Sequence, residues 1–120
     1  MGFIRTAFAA AMLVAGLATA ALAEDLEGTY EVHGVNPDGS TYSGTAEIIA
    51  TSETTCRIIW SVGTESSGIC MRNGIAFAAG YVLRDKVGLV IYKIRQDGSL
   101  DGTWTVADED GAGTEMLIPQ

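Results

Sequence analysis

QDGSLDGTWTV, residues 96–106, places an Asp-Gly turn signal directly before a run in which side chains alternate in character. Read as a calcium loop, it offers Asp97 and Asp101 as oxygen ligands, with Asp108, Glu109 and Asp110 close behind. Read as a hairpin, Asp97-Gly98 makes the turn. Gly102, Trp104 and Val106 then share one face of the following strand, and Asp101, Thr103 and Thr105 share the other. The hairpin reading accounts for every residue. The calcium reading lacks the EF-hand spacing and its terminal bidentate Glu. The stretch is therefore a turn and a strand, and no metal site is expected there.

The same grammar runs along the chain. In 41–50, Tyr42, Gly44, Ala46, Ile48 and Ala50 fall on one face and mostly polar residues on the other, the period-two mark of a strand with one buried side. CRIIWSV, residues 56–62, groups Cys56, Ile58, Trp60 and Val62. IAFAAGYVL, residues 75–83, groups Ile75, Phe77, Ala79, Tyr81 and Leu83. VGLVIYKIR, residues 87–95, is apolar on both faces: one of the rows Val90/Tyr92 and Leu89/Ile91 is in the core. The other is expected to lie under a terminal segment, with a protein-contact patch as its alternative use. Tyr30, Tyr42, Trp60, Tyr81 and Trp104 all fit core-facing positions.

Turn signals separate these runs: Asn36-Pro37-Asp38-Gly39, Arg72-Asn73-Gly74, Gln96-Asp97-Gly98-Ser99 and the acidic, Gly-rich 108–113. Eight strands result, at 28–35, 40–50, 56–62, 67–71, 75–83, 87–95, 100–107 and 113–118. Their short connections pair each strand antiparallel with the next. The expected fold class is all-β, a small antiparallel up-and-down barrel that leaves no free edge; a two-sheet sandwich is the alternative. Gly28-Thr29-Tyr30-Glu31-Val32 resembles Gly102-Thr103-Trp104-Thr105-Val106, and Asp38-Gly39-Ser40 resembles Asp97-Gly98-Ser99. The spacing is not constant, so these likenesses read as similar hairpins, not a repeat array.

Residues 1–23 stand outside this pattern. Arg5, an apolar Ala-rich run and Ala21-Leu22-Ala23 before Glu24 form a secretory signal peptide. The alternative, an uncleaved membrane anchor, fits the small-x-small cleavage site less well. Residues 24–120 are then one antiparallel β domain with no membrane span, expected in the periplasm or outside the cell. Fifteen acidic and six basic side chains (Arg57, Arg72, Arg84, Lys86, Lys93 and Arg95) leave this part a formal charge of −9. Such a surface repels phosphate backbones, so nucleic acid is a poor partner. Cys56 and Cys70 are the only cysteines, and an even count in an exported chain favours a disulfide.

Catalytic constellations are missing. His33 is the only histidine; it alternates with Val32 on a strand and points outward, which removes the usual base of a hydrolytic triad. No Gly-x-Ser-x-Gly elbow, Walker loop or HExxH occurs. No catalytic, cofactor-binding or metal-binding residue is assigned, and the chain is read as a non-enzymatic protein.

GTYEVHGVNPDGSTYSGTAEI, SSGICMRNGIAFAAGY, GLVIYKIRQDGSLDGTWTV and GAGTEMLIP together resemble short exported proteins of alphaproteobacteria that are often labelled fibronectin-binding proteins. The resemblance implies a binding protein acting on fibronectin or another host matrix protein, and it assigns no contact residue. The alternative is a periplasmic barrel that inhibits a protease or carries a small ligand. An apolar patch around 87–95 favours the first, and an interior cavity the second.

Overall fold

A computed structural model describes residues 23–120; residues 1–22, nearly all of the expected signal peptide, lie outside the described residues. A 3-10 turn, Ala23–Leu26, leads into eight strands: β1 (Gly28–Val35), β2 (Thr41–Ala50), β3 (Thr55–Ser61), β4 (Glu65–Asn73), β5 (Ala76–Leu83), β6 (Lys86–Ile94), β7 (Leu100–Val106) and β8 (Gly113–Pro119). Each pairs antiparallel with the next, and β8 closes on β1 to make a barrel. The up-and-down barrel is thus the fold, and the sandwich is excluded.

The likeness between the two Asp-Gly-Ser segments has a structural cause. Ser40 and Ser99 each donate their amide to the Asp two residues earlier, Asp38 and Asp97, at 2.9 Å, and their hydroxyl to the same oxygen at 2.6 Å. Gly39 and Gly98 both sit at positive φ, 90° and 87°, where a Cβ is disfavoured. These bonds hold both Asp carboxyls below the usual range, with the Ser hydroxyl the largest cause. The second turn, within the opening stretch, is therefore closed by its own Ser, and the hairpin reading holds. The other likeness, Gly28–Val32 with Gly102–Val106, is not of this kind. Tyr30 lies near the start of β1 at one end of the barrel, and Trp104 lies toward the other.

The two ends differ. One carries the start of β1 and the turns β2–β3, β4–β5 and β6–β7. It is filled by Ile48, Ile58, Phe77, Leu100 and Leu117, all fully buried. Leu26 of the 3-10 turn packs into this cluster, and the Tyr30 hydroxyl donates to the Leu26 carbonyl at 2.5 Å. Burying each such side chain contributes about 1.5–3 kcal/mol. Cys56 and Cys70, directly opposed on β3 and β4 with Cα atoms 4.9 Å apart, form the disulfide. Both face inward and are buried.

Two expectations need correction. Ile75 does not join the inward row of its strand but is 59% exposed. β5 begins only at Ala76, and at the barrel's rim an inward position has no core opposite it. In β6, Val90 and Tyr92 form the inner row, whereas Val87, Leu89 and Ile91 are 60%, 59% and 63% exposed. No described segment covers them; the C-terminal Gln120 instead bonds to Thr29 on β1.

Candidate functional site

The opposite end, with the turns β1–β2, β3–β4, β5–β6 and β7–β8, is open. A cup of about 220 Å³ enters the barrel there and ends at Glu115 of β8. Its walls come from inward positions: Tyr42 on β2, Trp60 on β3, Ser66 on β4, Tyr81 on β5 and Trp104 on β7. Trp60 and Tyr81 are buried as the alternation requires, but Tyr42 and Trp104 are only partly so. They line the cup instead of filling a core.

Space for these rings is built into the pairing. Tyr42 lies opposite Gly34, Tyr81 opposite Gly88, Tyr92 opposite Gly102 and Trp104 opposite Gly113. A Cβ on Gly34 would stand 1.9 Å from the Tyr42 ring, and one on Gly113 would stand 2.4 Å from the Trp104 ring. Each aromatic therefore leans flat across a bare stretch of the neighbouring strand, a pairing that recurs where sheets curve. The rings also meet each other. Tyr42 and Trp104 contact edge-on at 6.2 Å, and Trp60 and Tyr81 at 5.1 Å, both within the favourable range for aromatic pairs.

Glu115 is 7% exposed. Tyr42 donates its hydroxyl to Oε1 at 2.8 Å, Trp60 donates Nε1–H to Oε2 at 3.0 Å, and the Tyr92 hydroxyl also donates to Oε2. An indole N–H is donor-only, and an ionised carboxylate is acceptor-only with about four lone-pair sites. Three donors therefore suit a carboxylate and leave about one site for a ligand. Among the described residues no Lys, Arg or His lies within 4.0 Å of Glu115. Its charge reaches the surrounding phenols. Tyr81 is pushed up to about 12, first by burial and then by the Glu115 charge. Tyr42 and Tyr92 are also raised, by the same two causes and by their hydrogen bonds to Glu115. All three stay neutral donors at ordinary pH.

The sequence reading did not single out Glu115. The signal was present: period two over 113–118 sets it between Gly113 and Leu117 on the inward face, an unusual place for a carboxylate. His33, by contrast, is exposed on β1 as expected, with Nε2 2.5 Å from Glu31. The acids weighed as calcium ligands do not converge: among the described residues no group of three His, Cys, Asp or Glu side chains is placed to hold a metal ion.

The outer wall has its own pattern. β5 presents Ala76, Ala78 and Gly80 as a floor. Ile69 and Met71 on β4 and Leu89 and Ile91 on β6 rise on either side in register. The result is an apolar groove running along the barrel. Charge is segregated too. Residues 57–95 hold all six basic side chains of the domain and two acids, whereas 24–56 and 96–120 hold thirteen acids and no Lys or Arg. β7, β8, β1 and β2 are contiguous in the closed barrel, so one half of the wall is acidic and the other carries the groove.

No family model matches this chain, and no curated protein matches it. Solved structures that are similar include a redesigned β-barrel at 20% identity and TM-score 0.69, covering 85% of this chain and 97% of that one. A de novo designed fluorescence-activating β-barrel matches at 18% identity and TM-score 0.68, over 82% of this chain and 96% of that one. The redesigned barrel mFAP1 bound to DFHBI matches at 18% identity and TM-score 0.69, over 82% of this chain and 98% of that one. At such identities the likeness concerns the fold alone.

Proposed function

We propose that this chain is an exported, non-enzymatic binding protein that holds a small ligand in the open end of its barrel. The observation that carries the reading is the cup itself: an opening walled by aromatic rings and floored by one buried, hydrogen-bonded carboxylate. Small-molecule sites are concave, mostly apolar and marked by a few placed polar groups. At about 220 Å³ the cup is smaller than the roughly 300–1,000 Å³ of sites for drug-sized ligands, so the ligand is small. Export is supported by the signal-peptide pattern and by the disulfide, which fits an oxidising compartment.

A second reading is favoured by the exposed groove on β4–β6. Exposed apolar surface of this kind marks protein contacts, and a host matrix protein such as fibronectin is the partner that the family resemblance implies. One experiment separates the two. A small-molecule library is screened by ligand-observed NMR, and immobilised fibronectin is probed in parallel, with wild type, Ser66→Phe in the cup and Leu89→Asp in the groove. Ligands lost in Ser66→Phe and kept in Leu89→Asp support the cup. Saturable fibronectin binding lost only in Leu89→Asp supports the groove. Library ligands unaffected by Ser66→Phe contradict the cup.

A further inference from the structure

The cup's chemistry narrows its ligand, given the small-ligand reading above. We infer that the site takes a small organic cation, an amine or quaternary ammonium group, held between the aromatic walls with its charge toward Glu115.

Three observations converge. The first is the floor: Glu115 is a buried carboxylate whose three partners, Tyr42, Trp60 and Tyr92, are all neutral donors. They solvate the charge without neutralising it, and no basic side chain stands within ion-pair distance among the described residues. A bound cation supplies the missing counter-charge. The second is the wall. Tyr42, Trp60, Tyr81 and Trp104 come from four different strands and surround the space above Glu115. Ring faces attract cations, most strongly when the pair is desolvated, and aromatic cages recognise ammonium groups in this way. The third is the rim. The turns and strand starts around the mouth carry Asp38, Glu65, Asp85, Asp108, Glu109 and Asp110 against Arg84 and Lys86. A mouth of one dominant sign concentrates ions of the other. An anionic ligand would meet repulsion at the rim and again at the floor.

The test uses choline chloride, its neutral carbon isostere 3,3-dimethylbutan-1-ol and the anion 3,3-dimethylbutanoate, each titrated into the oxidised protein by calorimetry or NMR. The expected result is binding of choline at least about tenfold tighter than the alcohol, with no binding of the anion. Glu115→Gln, which keeps shape and removes charge, is expected to abolish that preference. Because this variant also disturbs three hydrogen bonds, Trp104→Leu at the mouth serves as a second probe. It is expected to fold as wild type and to weaken choline about threefold while leaving the alcohol nearly unchanged. If the alcohol binds as tightly as choline, or if the preference survives Glu115→Gln in a folded protein, the cation assignment is wrong and the small-ligand reading stands. If cup ligands emerge from the library screen but all three probes fail, the cation assignment is again wrong. If nothing at all enters the cup, both fall.

Discussion

The two ends of the barrel use the same strands for opposite purposes. At the end capped by the 3-10 turn, inward positions are filled by Ile48, Ile58, Phe77, Leu100 and Leu117, which are buried to completion. At the other end Tyr42, Tyr81 and Trp104 stand opposite glycines, so these rings lie across a neighbouring strand instead of reaching the axis. Both patterns are period two and mostly apolar. The difference is in what the inward side chains do: Ile48, Ile58, Phe77, Leu100 and Leu117 meet one another as a solid plug, whereas the Tyr42, Tyr81 and Trp104 rings lie over Gly34, Gly88 and Gly113 and line an opening. The first end supplies the core, and the second is where we propose that a ligand binds.

That contrast is open to direct attack, and the largest effect belongs to the closed end. Phe77→Ala should cost about 3–5 kcal/mol in urea unfolding, while cup ligands bind the remaining folded protein unchanged. A loss of ligand affinity beyond that explained by unfolding would show that the two ends are coupled. Replacing both Cys56 and Cys70 by Ala opens a loop with a sequence separation of 14, worth about 3 kcal/mol in the chain-entropy model. This too should leave the cup intact. Gly113→Ala attacks the open end: its Cβ would stand 2.4 Å from the Trp104 ring and 2.5 Å from the Val35 carbonyl. Displacing the ring should cost about 1–3 kcal/mol and, unlike the first two changes, should remove ligand binding. Trp104→Leu is the mildest: the side chain is only partly buried at the mouth, and stability should change by about 1 kcal/mol.

The tyrosines give a pH test of the same contrast. Tyr30, Tyr42, Tyr81 and Tyr92 are all held above 10.0, burial being the first cause in each. Between pH 10 and the folded values the unfolded chain releases these protons and the barrel does not. Stability is therefore complete below about pH 10 and falls as pH rises through about 12, where Tyr81 itself ionises. Spectrophotometric titration should show less phenolate at pH 10 in the folded protein than in the unfolded chain, and a rise in phenolate that accompanies unfolding. Tyr42, Tyr81 or Tyr92 titrating normally before unfolding would mean that the wall around Glu115 is open to water.

Much of this was legible in the sequence, for a physical reason. Period-two alternation and turn chemistry are local, so eight strands, the Asp-Gly-Ser turns and the up-and-down order could be read without knowing what packs on what. The disulfide was legible from an even cysteine count behind an export signal, and the register sets Cys56 and Cys70 directly opposite each other on adjacent strands. The rest depends on closure. Glu115 acquires its role from Tyr42, Trp60 and Tyr92, which arrive from β2, β3 and β6, and no local pattern contains that meeting. In β6 both rows are apolar, and what sets Val90 and Tyr92 inside comes from other strands: Tyr92 stacks on Phe77 of β5, lies over Gly102 of β7 and bonds to Glu115 of β8. Tyr42 and Trp104 could be assigned to the inside by parity, but not to a cup instead of a core, because that distinction depends on what the closed barrel places above and below them.

The most direct measurement is a ¹H–¹⁵N NMR map of residues 24–120 during titration with a ligand found in the library screen. The two indole N–H signals, Trp60 and Trp104, should move first, followed by the amides of Gly34 and Gly113. Those of Leu26, Leu100 and Leu117 at the capped end should stay still. Shifts centred on Ile69, Ala78 and Leu89 would place recognition on the outer groove and contradict the cup as the binding site.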